Sequence, residues 1–247
     1  LMNEFRDGKN AALVALAQAG DREALNVLTA QVLSDGNSWP SADLIPAIRF
    51  IGESGDRSAL NVLRSLLFND DPAVVNATIE ALGDVGDARV AGELTKLFDE
   101  ADPERSVLLA RTLARLGQAK AVQARFEPQL KFPLPGIREK AALVLAALGN
   151  QVGWPLLHNM LQAKEAPYYP LVVTVLGALP TQESLAFVSA ALNGKEAPEQ
   201  LAALQSINVL PADKLVATLL GIVRDTDRPV SVRIQAIRLL GTRVPPA

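Results

Sequence analysis

The chain has 247 residues, with 24 basic and 27 acidic side chains for a net charge of −3. Leucine (39) and alanine (38) dominate while Phe, Trp and Tyr together number only 11, a balance that suits close-packed helices and argues against a β-sandwich. Cysteine is absent, which excludes disulfides, thiolate metal sites and cysteine nucleophiles; the mild acidity argues against a general nucleic-acid or anionic-membrane binder.

Taken in chain order, the sequence repeats. A turn recurs at AQAGDREALNVL (17–28), GESGDRSALNVL (52–63), GDVGDARVAGEL (83–94), ARLGQAKAVQAR (114–125), AALGNQVGWPLL (146–157), GALPTQESLAFV (177–188) and INVLPADKLVAT (207–218). Its anchors, Gly20, Gly55, Gly86, Gly117, Gly149, Pro180 and Pro211, are spaced 35, 31, 31, 32, 31 and 31. A second ladder keeps the same period: Pro40, Pro72, Pro103, Pro135, Pro167, Pro198 and Pro229 are spaced 32, 31, 32, 32, 31 and 31. Two residue types holding one period mark a repeat protein.

Each period reads as two helices. Glycine at the anchor can turn left-handed and end one helix, and the Asp that follows (Asp21, Asp56, Asp87) can cap the next, helix A. Asp71-Pro72 and Asp102-Pro103 then supply an N-cap and a first-turn proline for helix B. The pattern predicts B helices near 41–53, 72–84, 103–115, 135–147, 168–179, 198–209 and 229–240, with a leading helix near 9–19. One hairpin cannot bury both of its faces, so neighbours must stack. The expected fold is an all-α, right-handed α-solenoid of about seven hairpins over 1–247, part of a longer chain or assembly because neither end shows a polar capping repeat.

The D-P…A-L-G-x-x-G-D pattern resembles the HEAT-like repeats first recognised in phycobilin lyases. The resemblance spans the chain and is fullest in DPAVVNATIEALGDVGD (71–87), at Asp71, Pro72, Ala81, Leu82, Gly83, Gly86 and Asp87. The arginine usual in the first turn of helix B is present as Arg138 and Arg233, whereas Val75 holds its place in the best-matching repeat. The resemblance implies that B helices line a concave binding surface.

Catalytic signals are poor. His158 is the one histidine, so histidine metal clusters are excluded. The HEAT-like deoxyhypusine hydroxylases bind iron through repeated His-Glu pairs, and this chain has no such pair. No phosphate-binding glycine loop occurs. The carboxylate pairs Asp70-Asp71 and Asp99-Glu100 are expected to cap B helices. Trp154, His158, Tyr168 and Tyr169 form the one aromatic cluster. It reads either as a ligand site or, in the reading we favour, as Trp154 in a core position with His158 half-exposed beside it. Trp39 lies in SDGNSWPSA (34–42), read as the longest inter-helix loop, where an indole either anchors a partner or packs over the first repeat.

Helical spacing sets three outward rows on the B helices. The middle row is Arg49, Glu80, Arg111, Leu143, Thr174, Gln205 and Arg238; the row one turn later is Glu53, Asp84, Arg115, Ala147, Ala178, Val209 and Thr242; the row one turn earlier is Ile45, Asn76, Val107, Glu139, Pro170, Leu201 and Ile234. Six of nine positions in the first three B helices are charged, but only Glu139 and Arg238 of twelve in the last four. An exposed face that loses its charges should be covered. The sequence therefore points to a non-catalytic scaffold that grips a protein partner or neighbouring domain, with no cofactor, metal, membrane span or nucleic acid. Its expected contact residues are Trp39, Arg49, Glu53, Glu80, Asp84, Arg111, Arg115, Leu143, Ala147, Pro170, Leu201 and Ile234. The alternatives are an accessory subunit of a lyase-type enzyme acting on a chromophore or a protein, as the resemblance implies, and a nucleic-acid-binding module like the HEAT-type alkylpurine DNA glycosylases, for which no basic stripe is present.

Overall fold

The computed structural model describes residues 13–15, 22–163, 168–178, 182–207 and 212–241. Among these there is no strand, and seven A helices alternate with seven B helices. The A helices are α1 (Arg22–Asp35), α3 (Leu60–Leu66), α5 (Ala91–Lys96), α7 (Ala119–Phe126), α9 (Trp154–Ala163), α11 (Gln182–Leu192) and α13 (Ala212–Arg224). The B helices are α2 (Ser41–Glu53), α4 (Pro72–Val85), α6 (Pro103–Arg115), α8 (Pro135–Ala147), α10 (Tyr169–Gly177), α12 (Ala197–Gln205) and α14 (Val230–Gly241). The leading helix expected at 9–19 lies outside the described residues except at 13–15, which are helical.

The repeat is an all-α, HEAT-like solenoid architecture within two compact units, Leu1–Val122 and Gln123–Ala247, that divide inside α7. In the first unit α4 packs between α2 and α6; in the second, α10 packs between α8 and α12, and α12 also meets α14.

The anchors work by backbone conformation. Gly55, Gly86, Gly117 and Gly149 have φ of +66°, +72°, +79° and +75°, a region that costs a residue with a Cβ roughly 1–2 kcal/mol. Gly20, Pro180 and Pro211 lie outside the described residues. After Gly55, Gly86 and Gly149 the next residue caps, but it caps a 3-10 turn ahead of helix A. Asp56 accepts from the Ser58 N–H, Asp87 from Arg89 and Asn150 from Val152. At the B helices Asp71 accepts from the Ala73 N–H and Asp102 from Arg105. Of the carboxylate pairs, then, Asp71 caps α4 while Asp102, not Asp99 or Glu100, caps α6.

In the first unit α2 and α4 touch almost backbone to backbone. A Cβ on Gly52 of α2 would lie 2.6 Å from Ala81 Cα of α4. The same position, three residues before each anchor, is Gly83, Ala114, Ala146 and Gly177 in the following B helices, every one a small residue. A Cβ on Gly83 would meet Thr112 and Arg115 of α6, and one on Gly177 would meet Ser206 at 2.8 Å. Around this seam sit Ile48, Ile51, Ile79, Leu82, Leu109 and Leu113, all with essentially no exposure.

Asp87 is buried at the cap, and the Arg89 guanidinium on it, followed by the Arg89 N–H, holds its carboxyl well below the usual carboxylate range. Its ionised form therefore stabilises the fold above pH ~4, where the unfolded Asp is already charged, and that stability is lost as the pH falls below it. Asp87→Asn keeps a capping side chain but should flatten the acid limb of a stability-versus-pH curve measured by urea unfolding. In the same assay Gly52→Ala should cost about 1–3 kcal/mol by overpacking. Gly92→Ala on α5, where an added Cβ meets nothing within 4 Å, should stabilise by about 0.5–1 kcal/mol.

Candidate functional site

A B helix packed on both sides by its neighbours keeps only a narrow strip of accessible residues, spaced four apart. In α4 the buried positions include Val74, Val75, Ala77, Thr78, Ile79, Ala81, Leu82, Gly83 and Val85, which leaves Asn76, Glu80 and Asp84 open along one line. On α2 the strip runs through Ile45, Arg49 and Glu53, and on α6 through Leu108, Arg111 and Arg115, with Val107 buried. The first unit thus brings Arg49, Glu53, Glu80, Asp84, Arg111 and Arg115 to accessible positions on three B helices.

Two contacts order this strip. Arg115 pairs with Asp84 across α6 and α4, and Arg105 donates 2.9 Å to Asn76 Oδ1. The side chains of Arg49, Glu53, Glu80 and Arg111 make no hydrogen bond or ion pair with the described residues. Arg111 is half-buried, and desolvation pulls its guanidinium below the ordinary arginine value with no carboxylate to offset it.

The second unit departs from the expected rows. Leu143 has no exposure and sits within a fully buried run, Ala141–Ala146. This apolar segment is buried on every face of α8, so its middle turn contributes to the core and offers nothing to a partner; Ala147 is half-buried at its end. Leu201 is half-buried, with part of its side chain packed against the core formed by Val173, Val188, Leu204, Leu219 and Val232. Pro170 and Thr174 are half-buried, Ala178 and Gln205 are open, and Ile234 is 44% exposed. Thr174 donates 3.3 Å to Gln205 across α10 and α12. Val209 and Thr242 lie outside the described residues.

Beside the α10 strip lies a buried carboxylate that the sequence reading did not single out. Glu199 is 7% exposed and accepts a 2.6 Å bond from the Tyr169 phenol. Burial, then this bond, pushes the Tyr169 hydroxyl up to about 12. The pair links α10 to α12. No sequence signal marked it, because Glu199 sits in the first turn of α12, where acidic residues ordinarily cap and face water.

The aromatic cluster takes its packing form. His158 Nδ1 lies 2.8 Å from the Trp154 carbonyl one turn back, and their rings are 6.4 Å apart. Trp154 is half-buried, yet its indole N–H is enclosed without an acceptor. Trp39 is not on a long loop. A single 3-10 turn, Gly36–Ser38, connects α1 to α2, and the indole is buried at 8% exposure. There it lines a cavity of about 320 Å³ with Ser41, Leu44, Phe68, Asn69, Asp70, Asp71 and Val74. Ser41 Oγ donates to Asp71, and this bond, followed by the Ala73 N–H, holds the Asp71 carboxyl below its ordinary value. No group of three or more His, Asp or Glu side chains placed to hold a metal occurs among the described residues, and no described helix is long and apolar enough to cross a membrane.

The profile of HEAT repeats matches residues 40–109, which run from the start of α2 into α6. No curated protein sequence matches the chain. Among solved structures, a complex of CpcE and CpcF of phycocyanin lyase from a Nostoc species contains a chain 20% identical to this one, with 96% of this chain and 89% of that chain covered at a TM-score of 0.51. Human deoxyhypusine hydroxylase is 19% identical over 97% of this chain and 96% of its own, with a TM-score of 0.42. These likenesses concern the fold.

The burial of Leu143 carries a prediction. Leu143→Glu places a charge in the core of the second unit and forfeits a buried leucine, so it should cost more than about 3 kcal/mol and abolish cooperative unfolding of that unit, read by thermal circular dichroism.

Proposed function

Since the chain is built from HEAT-like helical hairpins, we propose that it is a non-catalytic protein-interaction scaffold that binds a partner protein through its B-helix strips. The observation that supports this reading is Arg111, a half-buried guanidinium on the accessible strip of α6 with no carboxylate partner among the described residues. Burying an arginine without a counter-charge is unfavourable. A carboxylate from a partner seated on the strip would offset that cost through a charge-assisted pair. Arg49, Glu53 and Glu80 offer both signs of charge beside it, which favours a defined orientation of the partner and a fast association. In the second unit Pro170, Ala178, Leu201 and Ile234 supply the apolar part of the surface, a smaller one than a row containing Leu143 would make.

A second reading, an accessory subunit of a lyase-type enzyme, draws on the likeness over 96% of the chain to a structure of phycocyanin lyase subunits in complex with each other. It too requires a protein partner. It differs in requiring a bound pigment, whose absorbance would accompany the protein through purification.

Arg111→Glu should lower the amount of partner recovered by affinity capture at least tenfold while leaving the far-ultraviolet circular dichroism unchanged. Arg49→Glu, on a fully exposed part of the strip, should act mainly on the association rate and lose its effect as salt is raised. Capture of the same partner by the Arg111→Glu protein would remove the α6 strip from the interface.

A further inference from the structure

The cavity at the N-terminal ends of α2 and α4 lies apart from the accessible strip and has its own chemistry. Three observations converge on it. Phe68 is 82% exposed, a costly position for a large apolar ring, and the equivalent place before the next B helix holds Asp99. Trp39 is nine-tenths buried in the cavity wall, and its indole N–H donates to no described residue. Asp70 stands open at the same cavity with no hydrogen bond or ion pair of its own.

The charge of the cavity is one-sided. Among its lining residues there is no cation, and there are two carboxylates. Asp71 is committed to Ser41 and to the first-turn N–H groups of α4, so it already answers the partial positive charge of that helix end. Asp70 is left as a whole, uncompensated negative charge next to two aromatic rings. A volume of about 320 Å³ is at the lower end for small-ligand sites, which run to roughly 300–1,000 Å³, and is suited to one side chain rather than a cofactor.

We infer that this cavity binds a lysine or arginine side chain presented on an extended segment of a partner protein. The cation meets Asp70 and lies against the face of Phe68, where the ring quadrupole attracts it. A backbone carbonyl of the same segment accepts the Trp39 indole N–H. The binding energy comes from packing an exposed phenylalanine and from the charge-assisted pair with Asp70. This site uses none of the B-helix strip residues, so it stands or falls separately from the function proposed above.

The test uses the whole chain labelled with nitrogen-15 and two synthetic probes, acetyl-Gly-Arg-Gly-amide and the same peptide with citrulline, which keeps the shape of arginine without its charge. The indole N–H resonance of Trp39, assigned by its loss in Trp39→Phe, should shift and saturate with the arginine peptide. Citrulline should bind about tenfold more weakly, the loss expected of one charge-assisted contact. Asp70→Asn should weaken arginine binding by a similar factor. Phe68→Ala, which removes an almost fully exposed side chain and leaves the core untouched, should weaken it as well. Arg111→Glu should leave this titration unchanged. Equal shifts with arginine and citrulline, or no shift of the Trp39 indole with the arginine peptide at concentrations that saturate surface sites, would overturn the inference. Full binding by Asp70→Asn would do the same.

Discussion

The near-contact of successive B helices is the constraint from which the other features of this fold follow. Van der Waals attraction falls off within an ångström or so, so a seam in which Gly52 admits the backbone of Ala81 gains dispersion contacts along both helices. The cost is that the position three residues before the anchor must stay small where two B helices pack this closely. Gly83, Ala114, Ala146 and Gly177 obey this rule across four further repeats despite little other identity between them. Because this seam buries α4 on two sides and α3 covers a third, only a narrow strip of α4 reaches solvent.

That strip explains why chemistry concentrates where it does. Residues on it sit between two neighbouring helices and are partly desolvated even when they remain accessible, which is how Arg111 comes to be half-buried without a partner while Arg115 reaches Asp84 on the next helix. The short connections between helices add a second kind of site. The 3-10 turn at Gly36–Ser38 brings Trp39 directly against the start of α2, and the Asp71 cap of α4 lies beside it through Ser41. The resulting cavity comes from capping chemistry in two adjacent repeats, with Phe68 and Asp70 supplied by the loop between α3 and α4.

The same logic makes the buried polar groups structural. The Tyr169–Glu199 bond and the bond from Ser206 to the Thr174 carbonyl, 2.9 Å, both cross from α10 to α12. Each gives a polar atom a partner at an interface that water cannot reach, and each ties the register of one repeat to the next. Gly194 belongs to this arrangement, since any side chain there would collide with the Glu199 carboxylate.

The sequence alone determined the period, the fold class and the limits of several B helices, although α12 ends at Gln205, four residues short of the expected limit. Positive-φ glycines and Asp caps act through local backbone conformation, and local effects are legible residue by residue: α2, α6 and α8 begin and end where the pattern placed them. It also determined most of the open strip, because a spacing of four is a property of the isolated helix. What only the tertiary structure decided was how far each position is covered. Leu143 and Arg111 hold the same place in their repeats, yet one has no exposure and the other is half-open. The difference lies in what packs around each helix and not in the helix itself. Trp39 makes the same point from a connection: its neighbours Phe68 and Asp70 are some thirty residues away in sequence, and only the stacking of one repeat on the next gathers them around a single cavity.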